Sequence, residues 1–375
     1  MNIKIIAPLR NFLFKKADTR LKMNGFIATN RQREIQEFIL LSPPFSLAVG
    51  GINFRTLSDN VCIYYSGNLR SLNVIYDDRN LVAVGRSLLV LFQSYLFAMW
   101  LIKDNSVNIF EGFLSSLDET NVREYRHDVN SNSAGSYEDV YFDDDEFNRI
   151  CRIQEVLLPI FLVNDNSDPT PNFGTNPSVY NKILYNNHNR IRRALDFLCR
   201  ARYESFLPSK ISMYMAVLES LFNTSKSDVD KTVRKRTALF LGGNENIQTL
   251  NSEIIKKAYN VRSNYIHGQI LGKAENSRNL IDLSQKVDNL IRQVLTKAID
   301  EPSFQMKEKD AIKWIDNTFK LSLRNTFTFK DFTEVNTAGS NFKIYTHEPP
   351  CNKSFISEHP LKLCPFCKGA AEIIT

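Results

Sequence analysis

The sequence predicts an α+β chain of three parts: an N-terminal domain mixing helices and strands, an all-α helical bundle, and a small cysteine-bearing tail of zinc-knuckle type. Three observations predict it. Short β-rich runs are interleaved with long apolar stretches as far as Val163. Beyond Ser178 an apolar period of about 3.6 residues holds for about 120 residues, the signature of amphipathic helices. Near the end, Cys364-Pro365-Phe366-Cys367 has the spacing of a metal-binding turn. The expected bounds are 1–163 for the N-terminal domain, 164–178 for a linker, 179–300 for the bundle and 301–375 for a C-terminal extension.

In the N-terminal part, Asn2 to Ile6, Val61 to Tyr65 and Leu72 to Tyr76 are β-branched and aromatic enough to read as strands. Leu81 to Ile102 is the most apolar stretch. Arg86, Ser87, Gln93 and Ser94 interrupt it, and its uncharged part falls short of the roughly 18 to 20 residues that span a bilayer, so it reads as a buried helix and not a membrane span. A further helix is expected from Asp144 to Leu162, entered through the acidic run Glu138 to Glu146, because carboxylates suit the positive end of a helix dipole. The segment from Val163 to Ser178 is crowded with Asn, Asp, Pro and Gly, which marks the linker.

Five helices follow. Leu184, His188, Ile191, Leu195 and Leu198 form one stripe. Ile211, Tyr214, Met215, Leu218 and Leu221 form a second, entered through Pro208 and Ser209. The third helix runs from Asp228 to Leu241 and stops at Gly242 and Gly243. A fourth carries Ile254, Ala258, Val261 and Tyr265 and stops at Gly268. The fifth runs from Asn279 to Ala298 on Leu280, Leu283, Val287, Leu290 and Val294. Short connections between helices make such a set a bundle.

Composition narrows the classes. With 43% apolar residues, 26 Phe and 14 Tyr, the chain carries ample material for a core, which excludes a disordered protein. Six cysteines in 375 residues are too few for a disulfide-stapled scaffold. No secretory signal is apparent at the start, so a cytoplasmic protein with reduced thiols, and no membrane partner, is expected. Cys62, Cys151 and Cys199 sit among apolar neighbours and read as core thiols; His127 and His188 have no companion at ligand spacing. The formal charge is +6, but residues 181–300 hold 20 Lys and Arg against 11 Asp and Glu, or +9, and the rest of the chain is −3. An anionic partner would therefore meet the bundle, where Lys231, Arg234, Lys235 and Arg236 are clustered.

The fourth helix ends in Val261-Arg262-Ser263-Asn264-Tyr265-Ile266-His267-Gly268, where polar groups interrupt the apolar stripe. Asn264 and His267 are i,i+3 neighbours. Arg262 lies five residues before His267, about 140° around the axis at roughly 100° per residue. One copy therefore does not clamp a phosphate between the two, whereas two copies across a two-fold axis would. The simpler reading of an Arg and a His in a last turn is that they cap its free carbonyls.

Two stretches here, Met215 to Phe222 in the second helix and Tyr259 to Gly268 in the fourth, resemble the HEPN superfamily, specifically the ApeA-like HEPN group of prokaryotic defence proteins. The resemblance covers about Tyr180 to Ala298. It implies a metal-independent endoribonuclease acting as a homodimer, with Arg262 and His267 matching the family's R-x4-6-H motif. Many members carry Asn, Asp or His directly after the arginine. Here that place is Ser263 and the amide follows at Asn264, the third candidate catalytic residue. Glu219 matches an acidic position of the second-helix motif or is a structural partner for a cation. Lys231, Arg234, Lys235 and Arg236 would hold the RNA backbone. The resemblance further implies antiphage defence by abortive infection, with tRNA among the candidate substrates; by analogy with multidomain toxins, the N-terminal domain would sense a phage-derived activating component or restrain the nuclease. A catalytically silent module binding RNA, a nucleotide or a protein is the alternative.

The chemistry suits these residue types. Metal-free RNA cleavage deprotonates a ribose 2′-OH, stabilises a pentacoordinate phosphorane and protonates the departing 5′-oxygen. A histidine supplies acid or base, and an arginine holds phosphate oxygens bidentately. In the tail, Cys351, Cys364, Cys367 and His347 make a four-ligand set for structural zinc, with His359 competing for the fourth place. Such a site is closed, so no catalytic metal is expected.

Overall fold

The structure, a computed structural model, describes residues 2–72, 81–116, 122–126, 128–162, 188–272, 276–324, 343–346, 354–357 and 372–373. The chain is mixed α+β. Its contacts divide it into two units, Met1–Asn317 and Thr318–Thr375. The linker expected at 164–178 and most of the strand expected from Leu72 to Tyr76 lie outside the described residues. Leu72 itself ends a 3-10 turn that starts at Leu69.

The first unit opens with a six-stranded antiparallel sheet in the order β3-β4-β5-β1-β6-β7. Its strands are β1 (Asn2–Leu9), β3 (Arg20–Met23), β4 (Phe26–Thr29), β5 (Val61–Asn68), β6 (Glu111–Ser116) and β7 (Val122–Arg126). β2 (Phe12–Phe14) and β8 (Val140–Phe142) form a separate parallel pair. β1 sits centrally, with Ile5 opposite Tyr65 of β5 and Leu114 of β6. Every residue of β1 after Asn2 is buried because both sheet faces are covered. Ile6 faces α1 (Gln32–Leu40) and α2 (Pro43–Asp59), joining Ile35, Ile39, Phe45 and Val49. Ile5 faces α3 (Leu81–Ile102) beside Leu88 and Phe92. Gly85 makes that approach possible, since a Cβ there would lie 2.0 Å from the Tyr125 ring. α4 (Asp144–Leu162) packs along α3, and both helices have the bounds expected from the sequence.

The bundle is built from α5 (Arg190–Tyr203), α6 (Leu207–Phe222), α7 (Val229–Leu241), α8 (Glu245–Ile266) and α9 (Ser277–Ile299), with α10 (Glu308–Arg324) following. Side-chain amides cap three of the N-termini. Asn189, Asn244 and Asn276 each accept from the backbone N–H three residues on. The helix expected from Asp228 to Leu241 begins one residue later, because Asp228 is a left-handed N-cap.

A buried polar seam joins α3 to the bundle. Asp288 of α9 accepts from the Trp100 indole at 2.9 Å and the Tyr214 hydroxyl at 2.8 Å, and it pairs with Arg292. Arg202, 1% exposed, donates to the carbonyls of Leu96 and Asn105. Lys210, fully buried, donates to the Ala201 carbonyl at 2.8 Å. Each of these groups finds partners, as buried charges must. In the second unit, β9 (Lys343–Thr346) lies between β10 (Ser354–Ser357) and β11 (Glu372–Ile373), antiparallel to both. The proposed zinc ligands His347, Cys351, Cys364 and Cys367, with the competitor His359, lie outside the described residues. Among the described residues no three His, Cys, Asp or Glu side chains form a metal-binding group.

No helix among the described residues is long and apolar enough to cross a membrane. Cys62 is buried as expected, but Cys151 and Cys199 are half-buried. Partial burial still pushes both of these thiols up to about 11, so they stay protonated. His188 is half-buried and its Nδ1 lies 2.9 Å from a carboxylate oxygen of Asp196. His127 lies outside the described residues.

Candidate functional site

The site forms where α8 ends beside α6. α8 stops by a left-handed cap: Gly268 has φ +66°, and the backbone N–H groups of His267, Gly268 and Gln269 reach the carbonyls of Ser263, Tyr265 and Asn264. Backbone donors therefore satisfy these last-turn carbonyls, and the capping role open to Arg262 and His267 is taken. Instead the Arg262 guanidinium reaches across to α6, where its Nη2 donates to Glu219 Oε2 at 3.3 Å. Glu219 uses its other oxygen, Oε1, to accept from the Tyr259 hydroxyl at 3.1 Å. One carboxylate thus fixes both a phenol and a guanidinium.

The electrostatics follow from depth. Tyr259 is 7% exposed, and burial first, then the neighbouring Glu219 charge, holds its phenol well above the usual tyrosine range. It remains a donor and keeps Glu219 oriented. The Arg262 side chain is 36% exposed, so one flank faces solvent while the other is held. His267 is exposed and its ring has no partner among the described residues. Asn264 is half-buried on the same last turn. The structure therefore brings Arg262, Asn264 and His267 to one helix end and adds Glu219 and Tyr259 beneath them.

The expected face of α8 needs correction. Its apolar stripe is rotated from the expected phase: Ile255, Ala258, Tyr259 and Val261 are buried, whereas Ile254 is half-buried and Tyr265 is 37% exposed. The reason is the tyrosine at 259, whose ring fills the α6 contact because its hydroxyl has Glu219 to meet. Tyr265 instead points outward and meets Phe206, the N-cap residue of α6, edge to face with ring centroids 5.8 Å apart.

The basic cluster on α7 also divides. Lys231 and Lys235 are exposed and Arg234 is half-buried. Arg236 is not available to an anionic ligand. It lies on the inward stripe with Val233, Thr237 and Phe240, only 6% exposed. Its guanidinium donates to the Phe222 carbonyl at 2.7 Å, to Thr224 at 2.8 Å and to Asp316 at 2.7 Å, tying the end of α6 to α10. Beside the site, a groove of about 730 Å³ runs between α8 and α9 past Asn260 and Val261. Its rim carries Lys257 and Lys286 against Glu253 and Asp282, so its charges cancel and it does not select an anion.

No family model matches the chain, and no curated protein or solved structure compared with it is similar.

Proposed function

We propose that the chain is a metal-independent endoribonuclease of the HEPN type, acting as a homodimer. The observation that supports it best is the exposed His267, without a partner among the described residues, on the same helix end as an Arg262 whose orientation Glu219 fixes. In the reaction, one base takes the proton of a ribose 2′-OH, the 2′-oxygen bonds to phosphorus, and the P–O5′ bond breaks as O5′ gains a proton. A 2′,3′-cyclic phosphate and a 5′-hydroxyl result. His267 would move these protons and Arg262 would hold the phosphorane oxygens. Two copies are needed because the side chains diverge by about 140° on one helix. Asn264 would orient the phosphate, and Lys231 and Lys235 would follow the RNA backbone.

In this account the sheet-bearing N-terminal layer responds to a phage-derived component, and RNA cleavage, of tRNA among other candidates, arrests the infected cell. Zinc, bound by Cys351, Cys364, Cys367 and either His347 or His359, is structural. One observation favours a second reading, a catalytically silent module that binds RNA: Glu219 already neutralises Arg262. Expression in bacteria separates the two. Growth arrest that disappears with His267→Ala, at equal protein level, supports the nuclease; equal growth of both strains with activator present favours the silent module.

A further inference from the structure

Phe206 and Tyr265 form an exposed aromatic pair that the cleavage chemistry does not use. Phe206 is 58% and Tyr265 37% exposed, and their rings pack edge to face. Tyr265 is three residues beyond Arg262, so the two share a face of α8 with Cβ atoms about 5–6 Å apart. It is two residues before His267. A half-exposed guanidinium beside an exposed aromatic pair complements one nucleotide: a negative phosphate against the cation and a planar base against the ring. The charge excess of residues 181–300, 20 basic against 11 acidic, favours the same occupant.

Resting on the ribonuclease reading, we propose that Phe206 and Tyr265 are a stacking platform for an unpaired nucleobase next to the scissile phosphate. Bases in an A-form duplex are stacked on their neighbours, so their faces are covered and the platform has nothing to grip there. The pair holds its own shape, and each ring loses little freedom on binding.

The test measures binding, not cleavage. A fluorescein-labelled RNA made uncleavable by 2′-O-methyl groups is titrated with the full chain in EDTA, as a single strand and as a duplex of the same sequence, by fluorescence anisotropy. The single strand should bind more tightly than the duplex. Tyr265→Ala and Phe206→Ala should each weaken single-strand binding roughly five- to a hundredfold, the span of base–aromatic stacking, while Tyr265→Phe keeps it. Both positions are exposed, and circular dichroism checks that the variants fold. Equal binding by the alanine variants overturns the proposal. So does a loss accompanied by dissociation to monomers in sedimentation, which would make the pair a contact between copies. If His267→Ala leaves cleavage intact, the nuclease reading fails while this binding result stands on its own.

Discussion

Lys210 supplies the sharpest test of the packing. It is fully buried in the first turn of α6, and burial lowers its ammonium from 10.5 to about 8 despite attraction from Asp288. Over that interval the unfolded chain binds a proton that the folded chain does not, so stability rises with pH between about 8 and 10.5. At about 1.4 kcal/mol per pKa unit, holding Lys210 charged costs the fold about 3 kcal/mol near neutrality, of which about 2 is regained by pH 9.5. Replacing it by methionine keeps the buried stem and removes the titration, though the Ala201 carbonyl loses its donor. The assay is urea unfolding followed by tryptophan fluorescence at pH 7.0 and pH 9.5. The wild type should gain about 2 kcal/mol more than Lys210→Met over this interval. The comparison stops at pH 9.5 because tyrosines of the unfolded chain ionise above it. Equal gains in the two proteins would refute the assignment of a desolvated ammonium.

Other outcomes follow from the same geometry. Arg236→Ala should cost about 2–3 kcal/mol in chemical denaturation, less than a fully buried pair because Asp316 is a third exposed, and should leave RNA affinity unchanged once folding is matched. Lys231→Ala with Lys235→Ala should do the reverse, keeping stability within about 0.5 kcal/mol while flattening the salt dependence of RNA binding by about 0.7 per lost phosphate contact. Metal analysis after chelator-free purification should find about one zinc per chain, reduced in Cys364→Ser. Zinc retained in His347→Ala but lost in His359→Ala would exchange the fourth ligand.

Local signals made the helices legible. Leu81–Ile102 and Asp144–Leu162 were bounded by composition alone, and Gly268 marked the end of α8 because a left-handed cap needs it. What escaped depends on distant partners. Trp100 and Asp288 are 188 residues apart, so nothing local shows that the aspartate is buried. The antiparallel order of the sheet, and the parallel pairing of β2 with β8, are set by tertiary contact and not by strand composition. Arg236 looks like Arg234 and Lys235 in sequence, and only the phase of α7 turns it inward. On α8 a tyrosine with a carboxylate partner took a core position, which rotated the stripe and left Tyr265 outside. The helix Glu308–Arg324 lay within the expected C-terminal extension and was not foreseen.

The most direct measurement is RNA cleavage by the purified protein in EDTA, with the ends of the products identified by mass. The products should carry 2′,3′-cyclic phosphate and 5′-hydroxyl ends, no cut should occur where the 2′-OH at the scissile nucleotide is replaced by hydrogen, and folded Arg262→Ala and His267→Ala proteins should lose cleavage. Full cleavage by folded His267→Ala, or cutting at a 2′-deoxy position, would contradict the proposed mechanism.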